Sequence, residues 1–295
     1  MSRLDGVLVV DKPAGLTSHD VVARVRKAAR QKKVGHAGTL DPEATGVLVV
    51  ALGRATRLVP YIQASRKTYD ARMRLGATTT TLDAAGEVTG VTDASEVTEE
   101  ALCAAMGRFT GDIKQVPPMV SAVKVDGERL HAKARRGEEV EREPREVTVH
   151  ELVLSEFLPG PEASAAFLVT CSPGTYVRTL AADIGDALGV GAHLTALRRL
   201  GSGRFSVAEA LPLDTLEEAG RAERLHELVL PMAEAVADYP SVTVDEADAR
   251  AIGHGKPLAP TGHAGPVAVV DERGRLLAMV EDRDGQARPL GVFAG

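Results

Sequence analysis

Apolar residues run almost unbroken over 6–10, which reads as a buried strand because it shows little alternation. The period then changes. Val21, Val22, Val25, Ala28 and Ala29 fall on one face of a helix, with Ser18 as its N-cap. Residues 47–52 and 68–75 return to strand patterns, the second with alternating apolar and polar positions. A helical pattern covers 98–109, with Thr98 as N-cap and Glu100 and Ala101 in the first turns.

Gly111 and the adjacent Pro117 and Pro118 make 111–118 a loop, after which 119–125 reads as strand and 130–136 as a short basic helix. Two further strands, 146–157 and 165–171, precede a helix over 179–188 that Gly189 closes. Residues 213–237 read as helical and acidic until Tyr239 and Pro240 break the pattern. Three short strands, 267–270, 276–280 and 290–293, then alternate with Asp- and Gly-containing turns. Strands and helices interleave without a regular βαβ repeat. The expected fold class is therefore α/β (α+β), with a mixed, largely antiparallel sheet and a small β-rich end.

One stretch carries more than secondary structure. In Gly35-His36-Ala37-Gly38-Thr39-Leu40-Asp41-Pro42-Glu43-Ala44-Thr45-Gly46-Val47, a single acid sits in a loop punctuated by Gly and Pro that runs into an apolar strand. Alone, Asp41-Pro42 opens a turn. Three other segments stand in order around it: Asp11-Lys12-Pro13-Ala14-Gly15-Leu16-Thr17-Ser18; Lys67-Thr68-Tyr69 with the polar run from Thr78 to Asp83; and Gly174-Thr175-Tyr176-Val177-Arg178-Thr179-Leu180. Together, from the N-terminus to Leu200, they closely resemble the TruB-type tRNA pseudouridine synthases. The resemblance implies the pseudouridine synthase fold, a long mixed sheet flanked by helices. It also implies a catalytic domain over 1–235 with an RNA-gripping insertion around 110–150, followed by a small PUA-like module over 240–295.

Charge changes the picture once it is divided along the chain. The net charge is −6, yet residues 1–74 hold 14 Lys/Arg against 6 Asp/Glu, while the remainder holds 21 against 35. Phosphate binding depends on local potential, so the positive stretch around Asp41 suits an RNA substrate. With 295 residues and 44% hydrophobic content the chain has material for a sizeable core. No apolar run approaches the roughly 20 residues of a membrane span, and the first residues lack the apolar core of a signal peptide, so a cytoplasmic protein is expected. Cys103 and Cys171 read as two buried free thiols. The eight histidines form no His-x-x-x-His spacing and no phosphate-binding Gly-Lys-Ser/Thr loop occurs; neither a metal nor a nucleotide cofactor is expected.

Pseudouridine formation detaches uracil from C1′ of its ribose, turns it and rejoins it through C5, with no redox change. One ionised carboxylate suffices for such glycosyl chemistry, and Asp41 matches the family's nucleophile. Attack at C1′, attack at C6 of the base and removal of a ribose proton all remain open at this level. The resemblance makes Arg178 the cation that partners the carboxylate, a role a guanidinium fills with fixed geometry. Tyr69, one of four tyrosines in a chain without tryptophan, is implied to stack on the flipped base and transfer a proton, with Tyr176 as a supporting wall. His36 is implied to occupy the place the extruded nucleotide vacates or to stack on the reorganised loop, and Leu197 to wall the uracil pocket. Lys67 precedes the tyrosine; Thr39 and Asp83 order the site; Lys12 holds either a phosphate or the sheet edge.

The expected substrate is the uridine at position 55 in the tRNA T-loop, and the expected partner is the tRNA T-arm, engaged by a monomer without an obligatory protein partner. A related synthase acting on another RNA, including a guide-RNA-dependent one, and a non-catalytic tRNA chaperone are the alternatives. The region 129–145, with Leu130, His131, Ala132, Lys133, Arg135 and Arg136, reads as the gripping element of a stand-alone enzyme.

Overall fold

The computed structural model describes residues 3–121, 124–125, 128–129, 136, 138 and 140–294. Leu130, His131, Ala132, Lys133 and Arg135 of the expected gripping element lie outside the described residues. The chain gathers into two compact units: residues 1–65 with 202–295, and residues 66–201.

In the first unit, strand Gly6–Lys12 pairs antiparallel with Thr45–Leu52 over its whole length, from Gly6 opposite Leu52 to Lys12 opposite Gly46. It also pairs parallel with the short strand Leu211–Pro212. Almost every residue of the two long strands is buried, as their unbroken apolar runs imply. Helix Ser18–Ala29 buries Val21, Val22 and Val25, the expected face. Its cap is a correction. Thr17 is the N-cap, in a capping box with Asp20, and Ser18 turns inward, 1% exposed.

Residues 213–237 also differ from one continuous helix. The helix Leu213–Arg221 ends there, since Glu223 takes a positive φ of 60° through which a right-handed helix cannot continue; only 3-10 turns follow, the second beginning after Pro231. Toward the C-terminus, Ser241–Val244 runs parallel to Val267–Asp271, which pairs antiparallel with Leu276–Arg283 and that with Gln286–Val292. Strand 241–244 and helix Glu246–Gly253, capped by Asp245, lie where no element was expected.

This C-terminal sheet has two apolar faces. One packs with Ile252 and Leu258 into a core of its own. The other contributes Ala268, Met279 and Phe293 to the cluster that holds Val7, Val49 and Leu58. Arg54 and Arg57 donate to the carbonyls of Phe293 and Val292, each at 2.7 Å, and the Arg57 guanidinium lies 5.0 Å over the Phe293 ring. Removing residues 240–295 would therefore uncover the core of the N-terminal strands, at about 1.5–3 kcal/mol for each large side chain exposed.

The second unit is built on strands in the order Lys67–Leu75, Ser164–Cys171, Arg145–Leu158, Gly111–Gln115, all antiparallel. Lys67–Leu75 alternates as expected, with Lys67, Tyr69, Ala71, Met73 and Leu75 buried. The stretch read as a loop from 111 is partly strand: Gly111–Gln115 pairs with Val149–Arg145. Its local signals are turn signals, and the partner that overrides them is some thirty residues away. Strand was also expected over 119–125, but Met119 and Val120 bend, and the strand residues there are Lys124–Val125. Helix Glu99–Gly107 is capped by Thr98, whose hydroxyl accepts from the amide of Ala101. It leaves Cys103 exposed, so only Cys171 is the buried thiol expected of both; both are free.

Candidate active site

The loop that carries Asp41 is fixed through its main chain. It enters as the amide of Ala37 donates to Val49 O at 2.9 Å and turns at Gly38, whose φ of +107° is accessible to glycine at little cost. Leu40, 4% exposed, then plugs inward. Ser18 holds that residue at both ends: its hydroxyl accepts from Leu40 N at 2.9 Å and donates to Leu40 O at 3.2 Å. Beyond the acid, Pro42 O accepts from Gly15 N at 3.0 Å and from Lys12 Nζ at 2.8 Å. The amide of Ala44 closes the turn on Asp41 O at 3.1 Å, and Ala44 is buried. With Leu40 and Ala44 as inward pegs, Thr39, Pro42 and Glu43 are exposed and Asp41 is half-buried.

Lys12 was expected to hold either a phosphate or the sheet edge. It is 0% exposed, and its ammonium donates to three carbonyls, Pro13 at 2.8 Å, Leu16 at 2.6 Å and Pro42 at 2.8 Å. A cation buried in that way ties the turn after the first strand to the Asp41 loop. His36 ends the strand Val34–His36, opposite Val50, and its ring meets that of His19 edge-on at 5.2 Å and 81°. Thus Lys12, His36 and Thr39 share the neighbourhood of Asp41.

The other expected residues lie in the second unit. Tyr69 is 8% exposed on the buried face of its strand, opposite Val169, two residues from the buried Lys67. Cys171 stands opposite Lys67; burial pushes its thiol up to about 11 against the pull of Thr175 and Lys67, which keeps it protonated and a poor nucleophile at neutral pH. Helix Val177–Ala187 packs against the Tyr69 strand and carries Arg178, 4% exposed, in its first turn. The guanidinium donates to Thr81 O at 3.0 Å, Val120 O at 2.9 Å and Asp83 Oδ2 at 3.2 Å. Asp83 is itself oriented by the Thr81 hydroxyl and by the amide of Ala85 at 3.1 Å. Leu197 is half-buried on strand Ala192–Ser202.

Tyr176 precedes the helix. Gln115, 1% exposed, grips its main chain reciprocally: Oε1 accepts from Tyr176 N at 3.0 Å and Nε2 donates to Tyr176 O at 3.3 Å. Three residues with these roles were not singled out from sequence. Ser18 reads as a cap, Gln115 lies in a stretch that reads as a loop, and nothing in the sequence singles out His19. A hydroxyl next to a capping Thr-x-x-Asp box was the available signal for Ser18; for Gln115 there was none.

Among the described residues no group of three His, Cys, Asp or Glu side chains is placed to hold a metal ion. Among the described residues no helix is long and apolar enough to cross a membrane.

Residues 26–177 match the family described as TruB family pseudouridylate synthase, N-terminal domain. Residues 178–237 match the C-terminal domain described for tRNA pseudouridylate synthase B, and 239–294 the C-terminal region described for tRNA pseudouridine synthase II. Among curated proteins, the tRNA pseudouridine synthase B of Thermobifida fusca is 51% identical over 99% of both chains, and that of Streptomyces coelicolor 47% identical over 98% of this chain and 97% of its own. Among solved structures, a chain of an H/ACA ribonucleoprotein bound to a substrate RNA superposes with a TM-score of 0.74 at 28% identity, covering 98% of this chain and 85% of that one.

Proposed function

The chain belongs to the TruB family of pseudouridylate synthases and has the pseudouridine synthase fold, and we propose that it converts the uridine at position 55 in the T-loop of tRNA to pseudouridine. The observation that carries this reading is the full-length identity to proteins named tRNA pseudouridine synthase B. Identity of 51% to these, against 28% to the H/ACA chain, favours a stand-alone tRNA enzyme over a guide-RNA-dependent one.

In the proposed mechanism Asp41 supplies the carboxylate nucleophile. A nucleophile that must meet one carbon of a flipped nucleotide benefits from a loop whose position is set before binding, since misplacement by an ångström costs rate. The bonds from Ser18, Lys12 and Gly15 give that support. Arg178 keeps the carboxylate ionised as its cationic partner, and Tyr69 stacks on the uracil and moves a proton at C5. Tyr176 and Leu197 wall the base, His36 fills the place it leaves, and Thr39 and Lys67 contact the nucleotide. The step is an isomerisation without redox change and calls for no redox cofactor; in this reading the enzyme acts in the cytoplasm as a monomer, without a metal or a protein partner.

The test is Asp41→Asn, assayed on a T-loop stem-loop transcript read for pseudouridine. Turnover should fall below about a hundredth of wild type, a barrier increase of roughly 3 kcal/mol or more. RNA affinity, which comes mainly from phosphates, should stay near wild type. Turnover above that level removes Asp41 as nucleophile, and a wild-type protein that leaves the uridine unchanged removes the reading itself.

A further inference from the structure

Helices Ser18–Ala29 and Leu213–Arg221 run side by side and parallel, since Arg24 lies by Glu217, Ala28 by Gly220 and Arg30 by Glu223. A Cβ at Gly220 would stand 2.7 Å from the Cβ of Ala28, so this glycine is what lets the backbones touch. Small residues thus make a narrow floor, and long side chains rise on both sides of a notch of about 310 Å³. Its charged lining is Arg24, Lys27, Arg30 and Arg221, with Glu217 as the single acid.

Helix ends favour cations, because each C-terminus carries roughly half a negative charge. That effect is too small to account for the lining. Two helix ends and Glu217 offset about two of the four positive charges, and counting Glu223 as well still leaves positive charge in surplus. Partners do not absorb it either. Arg24 reaches Glu217 only at 3.8 Å, and Lys27 and Arg221, both exposed, have no carboxylate partner among the described residues.

Arg30 adds an independent observation. It follows its helix with φ +50°, a position where glycine is the unstrained choice, and Glu223 does the same after the other helix with φ +60°. Their 2.7 Å ion pair leaves both side chains more than half exposed, a setting in which such pairs contribute little. The left-handed turn at Arg30 caps the helix, its amide donating to Arg26 O and Lys27 O, and the Arg30 side chain lines the notch.

We infer that this notch is a phosphate-binding site that holds the ribose-phosphate backbone of the RNA substrate, outside the loop that carries Asp41. The assignment rests on the reading of the chain as an RNA-modifying enzyme. The charges suit a polyanion: guanidinium groups bind phosphate oxygens in pairs, Lys27 adds a point charge, and no aromatic side chain lines the notch for a base to stack on.

The experiment compares the wild type with K27Q/R221Q, measuring affinity for full-length tRNA from low to high salt and pseudouridine formation at saturating tRNA. Both side chains are exposed, so the unfolding midpoint should not move. The variant should bind more weakly at low salt, and the slope of log affinity against log salt should flatten by about two units, one per lost contact. Turnover at saturation should be unchanged, and K27R/R221K should recover the wild-type slope. An unchanged slope, or a variant that alters the oligomeric state in place of RNA affinity, overturns the proposal. A wild type that binds tRNA with a steep salt slope but forms no pseudouridine defeats the functional reading and leaves the notch standing.

Discussion

Around Asp41 the chain fixes its loop with a buried ammonium and a buried hydroxyl that act on main-chain atoms; around Arg178 a carboxylate and two carbonyls act on the side chain itself. The difference follows from what each group is proposed to do. A nucleophile has to form and break a bond, so the structure governs where its backbone lies. A cation that acts through its field works best when the guanidinium does not move, and Asp83, Thr81 and Val120 hold it in one orientation.

The Asp41 side of the comparison breaks most severely at Lys12. In Lys12→Met, a side chain of similar length and no charge, the carbonyls of Pro13, Leu16 and Pro42 lose their shared donor. Hydrogen bonds to a charged group contribute about 1.5–3 kcal/mol each, and although Pro42 O keeps the amide of Gly15, a stability loss of about 3 kcal/mol or more is expected by urea denaturation, with turnover falling as the loop loosens. A fully stable variant would show that the loop does not depend on this cation.

The Arg178 side breaks at Asp83. Asp83→Asn keeps the shape and removes the charge from a pair in which the two side chains are 4% and 22% exposed. Hydrogen bonds to charged groups contribute about 1.5–3 kcal/mol, and because the amide still accepts, a loss near 2 kcal/mol is expected in thermal unfolding. If the comparison holds, kcat falls as well, since a guanidinium that has lost its anchor no longer presents a fixed charge. Unchanged kcat would mean that the two carbonyls alone orient Arg178.

Ser18→Ala sharpens the comparison more gently. Leu40 would keep its apolar plug but lose both main-chain bonds, with an expected cost of about 1–2 kcal/mol. The telling readout is the split between constants: kcat should fall while KM for the stem-loop stays near wild type, because the hydroxyl positions the loop and touches no RNA. A change confined to KM would contradict that.

How far these two regions were legible in the sequence differs for a physical reason. The Asp41 loop is made by residues close in sequence, and its Gly, Pro and capping residues are local signals; the loop and the elements on either side were expected, although Ser18 was read as the cap that Thr17 supplies. The Arg178 socket draws on Thr81, Asp83, Val120 and, through Tyr176, Gln115. Those residues converge only after Gly111–Gln115 pairs with Val149–Arg145, a register that no window around Gly111 contains. Likewise, the alternation of 68–75 announced a strand, while the burial of Tyr69 depends on the strand and helix packed against it. The shared core of Phe293, Met279 and Val7 is equally non-local, which is why the C-terminal segment read as a detached module.

The smallest expected effect lies on the Arg178 helix itself. Asp183 is pushed up to about 6, chiefly by burial and then by the neighbouring Asp186. A folded pKa above the unfolded value of about 3.9 means that the folded protein favours the protonated acid. The contribution of this group is therefore fully present below about pH 4 and is lost as the pH rises through about 6. Asp183→Asn removes the charge and with it the loss. Because part of the carboxylate remains in water, the gain is discounted to on the order of 1 kcal/mol, with the variant more stable than wild type at pH 7.5 and the gap closing toward pH 5. Urea denaturation of both proteins at the two pH values measures it. A gap that does not change with pH would mean that Asp183 is as ionisable in the folded helix as in the unfolded chain.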